Sequence, residues 1–168
     1  MAEPAFNVLW LQSGGCGGCS MSLLCSDTAD FAAQLRQLGI HLQGLPSVAR
    51  AAGQGALQVF QDCLEGRIPL HALCIEGAVL RGPGGTGRFH LLAGTQQPMM
   101  DWVRRLSAVA RHVVAVGSCA AYGGISAGGS NPTDACGLQY EGDQCGGLLG
   151  PTWRDPQGLP VVNVAGCP

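Results

Sequence analysis

The sequence has no lysine, and its nine basic side chains, all arginine, lie scattered along 168 residues. With a formal net charge of −2, nothing resembles a basic face that could track a phosphate backbone, so nucleic acid is excluded as an expected partner. Charged residues make up only 12%, about half of the usual ~25%. Much of the surface is therefore not built for water. Long apolar runs are also missing: none approaches the roughly 18 to 20 residues that a membrane-spanning helix needs. The opening stretch MAEPAFNVLWLQ has neither a basic segment followed by an apolar core nor a twin-arginine signal, so export is not indicated and a cytoplasmic location is expected.

What is abundant is glycine, 27 residues, and cysteine, nine. Nine in 168 falls below the roughly 8–10% of a disulfide scaffold, and a chain of this length needs no such staples. In a reducing compartment, clustered thiols mean metal or redox chemistry. The length suits one domain, spanning 1–168, and 46% hydrophobic residues suffice for its core.

Strand and helix patterns alternate. Val8 to Gln12 is a short apolar run stopped by Ser13-Gly14-Gly15, which reads as a strand entering a loop. A helix is expected to start at Met21 after Ser20, another spans Phe31 to Leu38 before Gly39, and Leu57, Phe60 and Leu64 mark a third. Ala72 to Leu80 is a second apolar strand, odd in carrying Glu76. Met99, Val103, Leu106 and Ala110 recur at helical spacing, so Pro98 to Arg111 reads as a helix leading directly into a strand at Val113 to Val116. Residues 120–158 look loop-rich, and Pro160 to Ala165 form a last strand ending in Gly166-Cys167-Pro168. Nearly all-apolar strands separated by helices predict a doubly wound α/β domain with a parallel sheet covered on both faces.

On this reading Cys16, Cys19, Cys119 and Cys167 all lie at strand carboxyl ends, the edge where open parallel sheets bind ligands. Glycines at 14, 15, 17, 18, 117 and 166 let the backbone approach an inorganic core and aim N–H groups at sulfur. Four thiolates fit tetrahedral zinc or a cubane of iron and sulfide, and the residues alone leave both open. A thioredoxin-like reading of Cys16-Gly17-Gly18-Cys19 would strand Cys119 and Cys167. The loop Ser13 to Ser20 is neither G-x-G-x-x-G nor G-x-x-x-x-G-K-[ST], which argues against a nucleotide or flavin. Cys25, Cys63 and Cys74, in apolar segments, read as small buried hydrophobes, while Cys136 and Cys145 fall in a loop and remain unassigned. His41, His71, His90 and His112 have no metal spacing and read as surface or hydrogen-bonded residues.

WLQSGGCGGCSMSLL, IEGAV, VGSCAAYGGISAGGSNPTDACG and VNVAGCP, in this order, resemble the small subunit of nickel-iron hydrogenases, over about Val8 to Pro168. The Ser-Gly-Gly before the first cysteine is closest to the cytoplasmic uptake and hydrogen-sensing branch. The resemblance implies a flavodoxin-like domain in which Cys16, Cys19, Cys119 and Cys167 hold the proximal 4Fe-4S cluster. It implies an obligate heterodimer with a large subunit that carries the nickel-iron centre, this chain being the electron exit to a downstream acceptor or, in a sensor, to a kinase. A Glu at the position of Glu76 lies near the cluster in the family, where it is a candidate proton relay; the alternative is a carboxylate hydrogen-bonded to loop backbone. Family small subunits usually continue beyond this Cys-Pro into a region holding further clusters, so stopping at Pro168 implies a fragment or a short, one-cluster form. Oxygen-tolerant membrane-bound members carry two extra cysteines, and the corresponding positions here are Gly18 and Gly124. A quinone-reductase-type subunit of similar fold would need adjacent Cys-Cys ligands, and the sequence has none.

Overall fold

A computed structural model describes residues 5–25, 31–44 and 54–168. In chain order the elements are β1 (Phe6–Gln12), α1 (Gly18–Leu24), α2 (Phe31–Gln37), β2 (Ile40–Gly44), α3 (Gln54–Leu64), β3 (Ala72–Glu76) and β4 (Val79–Leu80). There follow α4 (Met99–Val109), β5 (His112–Val116), α5 (Gly117–Tyr122), a 3-10 turn at Gly124–Ala127, β6 (Ala135–Cys136), β7 (Tyr140–Glu141), β8 (Gln144–Cys145) and β9 (Val162–Val164). Five strands form one sheet in the order β2-β1-β3-β5-β9, every neighbouring pair parallel. This is the flavodoxin-like order expected of the α/β fold, with the chain turning back across the sheet between β1 and β3. The short pairs β4–β6 and β7–β8 are antiparallel and separate from it.

Alternation along the strands sends Leu9 and Leu11 of β1, and Val113 and Ala115 of β5, into the core. Against them pack α3, through Phe60 and Cys63, and α4, through Trp102, Val103 and Leu106. The two helices meet ring to ring, Phe60 and Trp102 lying 5.8 Å apart at a 54° tilt. Pro98 precedes the first turn of α4, where a missing N–H costs nothing, and Ala110 closes the helix in an extended conformation. The opposite face is less covered: Trp10, Cys74, Val114, Val116 and Val164 line an open groove, and Val162 and Val164 are 46% and 54% exposed. Helices thus lie on both faces as expected, α3 and α4 closing one and α1, through Ser22 and Leu23, covering part of the other among the described residues.

Several elements differ from those expected. β2 is a strand that the sequence reading missed: Ile40 to Gln43 alternate apolar and polar, but over only four residues that directly follow the Gly39 ending a helix. The apolar run 72–80 breaks at Gly77, whose φ of +90° turns the chain out of the sheet into β4. The region after Val116 opens with α5 instead of a loop, and the last strand is shorter than Pro160 to Ala165. Cys25 is exposed at the end of α1, so its reading as a buried hydrophobe is corrected; Cys63 is buried and Cys74 half-buried.

Leu106, fully buried where α4 meets the sheet, carries much of this packing. Leu106→Ala should destabilise the chain by about 2–5 kcal/mol in denaturant unfolding, whereas Val109→Ala, on the exposed side of α4, should cost under about 0.5 kcal/mol.

Candidate metal centre

The strands of the sheet end in register. Gln12 of β1 pairs with Glu76 of β3, Glu76 with Val116 of β5, and Val116 with Val164 of β9. Cys16 follows Gln12 by four residues, and Cys119 and Cys167 follow Val116 and Val164 by three. Excursions of three or four residues from one rung bring these three thiols to one place, and Cys19 joins them from the first turn of α1. Cys16, Cys19, Cys119 and Cys167 line a single cavity, together with Glu76 and Gly77. Cys19 sits in the first turn of α1 and Cys119 in that of α5, while Cys16 and Cys167 are in loops. The strand-end expectation thus holds for position, although two of the four lie on helices.

Backbone packing makes the site possible. Gly14 and Ala78 exchange two hydrogen bonds of 2.9 Å, and the Ser13 amide donates to the Glu76 carbonyl at 2.7 Å, tying the loop after β1 to the segment after β3. A Cβ on Gly77 would lie 2.9 Å from Gly14 C and Gly15 N, so these glycines serve loop-to-loop contact. Others make room for sulfur. A Cβ on Gly117 (φ +83°) would fall 2.5 Å from Cys19 Sγ, and one on Gly124 (φ +57°) 2.5 Å from Cys119 Sγ. The Gly18 amide donates to Cys16 Sγ at 3.3 Å, and a Cβ there would lie 3.2 Å from the same sulfur.

Burial pushes the Cys19 thiol pKa up, with the negative charge of Glu76 and the three neighbouring thiols adding to the effect. Burial also raises that of Cys119, opposed by a hydrogen bond from the Ile125 backbone. Such mutual repulsion is what a cationic metal core relieves, since a bound metal takes cysteine as thiolate. Among the described residues no three His, Cys, Asp or Glu side chains are gathered to hold one metal ion.

Glu76 is 2% exposed and accepts from the Ser20 amide (3.2 Å), the Ser20 hydroxyl and the Trp10 indole (3.0 Å). Sequence reasoning missed Trp10 and Ser20 as its partners. The pairing contains the signal: Trp10 sits opposite Cys74 in register, two residues before the Gln12–Glu76 rung, which makes Trp10 and Glu76 diagonal neighbours on one face. The histidines stay away from the cavity. His71 accepts from the Asn7 amide, and His112 pairs with the buried Asp155, both at 3.0 Å near the opposite strand ends; His41 is exposed. Burial lowers the pKa of His90. Cys136 is buried on β6 with its thiol directed at the Val79 carbonyl (3.7 Å), and Cys145 is exposed on β8.

Residues 16–168 match the family model described as "NADH ubiquinone oxidoreductase, 20 Kd subunit", and the chain belongs to that family. Within it the similarity runs to hydrogenases, bearing out the resemblance read from the four motifs. The chain is 31% identical over 162 residues to the quinone-reactive Ni/Fe-hydrogenase small chain of Wolinella succinogenes, an alignment covering 96% of this chain and 40% of that one. It is 30% identical over 173 residues to the hydrogenase-2 small chain of Escherichia coli K12, covering 100% and 41%. Among solved structures, an actinobacterial-type NiFe-hydrogenase from Ralstonia eutropha H16 superimposes with a TM-score of 0.79 at 32% identity, covering 99% of this chain and 50% of that one. A recombinant [NiFeSe] hydrogenase from Desulfovibrio vulgaris Hildenborough gives 0.80 at 31%, covering 99% and 56%. The chain thus spans about two fifths of these curated relatives' length.

Gly117→Ala should strain the left-handed backbone and crowd the Cys19 thiol. It is expected to cost at least about 1–2 kcal/mol in thermal or denaturant unfolding, while Gly158→Ala, also at positive φ but with open space around it, should cost only the backbone part.

Proposed function

We propose that the chain is the electron-transfer small subunit of a nickel-iron hydrogenase, with Cys16, Cys19, Cys119 and Cys167 as the ligands of one 4Fe-4S cluster. Hydrogen would be oxidised at the metal centre of a separate large subunit. The observation that carries this reading is the convergence of the four thiols on one cavity at the in-register ends of β1, β5 and β9. The donor set fits the group: four cysteines, none in a disulfide, line one cavity, with glycine where a Cβ would press on Cys16, Cys19 or Cys119 sulfur. When bound, a 4Fe-4S cluster supplies one-electron transfer.

The chain's own part is to hold, orient and tune. The Gly18 and Ile125 amides point at Cys16 and Cys119 sulfur, and hydrogen bonds to thiolates are one of the levers by which a protein sets cluster potential. The low charge content and the exposed apolar side chains beside the site, Ile125 (90%) and Met21 (55%), support a face covered by a large subunit in an obligate complex. All nine thiols are unpaired, which supports a reducing, cytoplasmic compartment. The family also takes its name from a quinone reductase subunit. Without adjacent cysteines the hydrogenase reading is favoured over that one.

Iron and acid-labile sulfide in anaerobically prepared protein should be equal, about four of each per chain. Zinc without sulfide would sink the proposal. Serine at any of the four positions should remove or degrade the cluster, whereas Cys25→Ser and Cys63→Ser should leave its spectrum intact. A second prediction concerns Gly18 and Gly124, which adjoin Cys16 and Cys119 sulfur and supply no thiolate of their own. The cluster should show one reversible one-electron step in a redox titration followed by electron paramagnetic resonance; two successive steps in a narrow range would refute this.

A further inference from the structure

Glu76 ends the central strand β3, and the donors that hold it decide what it can do there. Its carboxylate receives three hydrogen bonds: one from the Ser20 amide at Oε1, and one each from the Ser20 hydroxyl and the Trp10 indole at Oε2. An ionised carboxylate is an acceptor only, and this inventory matches it. Two of the donors, a backbone N–H and an indole N–H, have no acceptor function, so neither can take a proton from the carboxylate and pass it on. None of these partners is cationic. The negative charge at the cavity wall is therefore screened by dipoles and left unneutralised, 2% exposed to solvent and bordering the same space as the four thiols.

We infer that Glu76, fixed by Trp10 and Ser20, acts as a buried negative charge that lowers the reduction potential of the cluster held by Cys16, Cys19, Cys119 and Cys167. This rests on the cluster reading above. Adding an electron beside a fixed negative charge is unfavourable, and at the low effective dielectric of a buried site the penalty is not screened away. Trp10 and Ser20 are positioning residues on this view: they keep the carboxylate at the cavity wall and supply the hydrogen bonds that make its burial tolerable. The fold gives them that task through strand pairing, Trp10 arriving from β1, and through the first turn of α1, where Ser20 follows Cys19 directly.

The test is a dithionite titration of the full-length cluster-loaded protein, purified anaerobically with any subunit that accompanies it and followed by electron paramagnetic resonance. Iron and sulfide content are measured first. A chain that binds no cluster would defeat the functional reading itself, whereas a loaded chain lets the inference stand or fall alone. Glu76→Gln keeps shape and removes the charge, so the cluster should stay and its one-electron reduction should become easier. The expected change is on the order of tenfold in the reduction equilibrium, about 59 mV upward for one electron. Trp10→Phe removes a donor but keeps the charge, and should move the potential little or downward. An unmoved potential in Glu76→Gln overturns the inference, and does so in favour of a proton relay if hydrogen turnover falls at the same time. Loss of the cluster in Glu76→Gln would make the carboxylate a structural strut and equally overturn it. So would an upward shift in Trp10→Phe as large as that of Glu76→Gln, because packing and not charge would then set the potential.

Discussion

The structure depends on four parallel strands stopping on one rung. Gln12, Glu76, Val116 and Val164 are consecutive partners across the sheet, so the segments that follow them leave the same edge at the same height. Parallel pairing allows this because all carboxyl ends point one way, and the intervening helices return each chain segment to the opposite edge. The cysteines then need no long loops to meet, and short connections order few residues against entropy. A slip of one residue in β5 would move Cys119 along the edge and turn Val113 and Ala115 out of the core, so the packing that stabilises the sheet also fixes the thiols.

Space at that edge is the second constraint. The loop after β1 and the segment after β3 touch backbone to backbone through Gly14, Gly15 and Gly77, and this draws Cys16 and Cys19 toward the Glu76 end of the sheet. On the other side, Gly117 and Gly124 flank Cys19 and Cys119 at positive φ, where a side chain would both strain the backbone and meet a sulfur. At this edge of the sheet glycine has two tasks: crossing of loops and clearance for thiols. Neither task is tolerant of alanine, but they fail differently, one through the fold and the other through the site.

How much was legible follows from what each feature depends on. The four thiols could be found because a strand ending in a Gly-flanked cysteine is a local pattern, and three of the four strand ends carry one. The α4 helix and the core face of the sheet could be found because Met99, Val103 and Leu106 repeat at a helical period. β2 was missed although Ile40, His41, Leu42 and Gln43 alternate, because so short a run after Gly39 is a weak signal and the strand is held by pairing with β1. The short helix α5 was hidden for a similar reason: GSCAAY has no apolar period, and its place is set by the turn at Gly117 and by packing against the sheet. Cys25 looked buried because its neighbours are apolar, yet the helix ends there and turns the thiol outward. The partners of Glu76 belong to tertiary pairing, which no local pattern reports.

Uneven coverage of the sheet connects these points to the proposed role. The strands that place the site, β1, β3 and β5, are locked from one side by α3 and α4, where Leu9, Leu73, Val103, Leu106 and Val113 are fully buried. That locking gives the cysteines a stiff base, and a stiff base suits one-electron transfer, in which the ligands of the oxidised and reduced forms should move little. The half-open face costs rigidity chiefly at the edge strand β9, where Val162 and Val164 remain exposed, and β9 is the strand that delivers Cys167. Of the four thiols Cys167 is thus the one whose position rests least on this chain's own core. A surface placed over the exposed side of β9 would stiffen the segment that carries Cys167, so in the proposed role burial of that apolar surface would help to hold the site together.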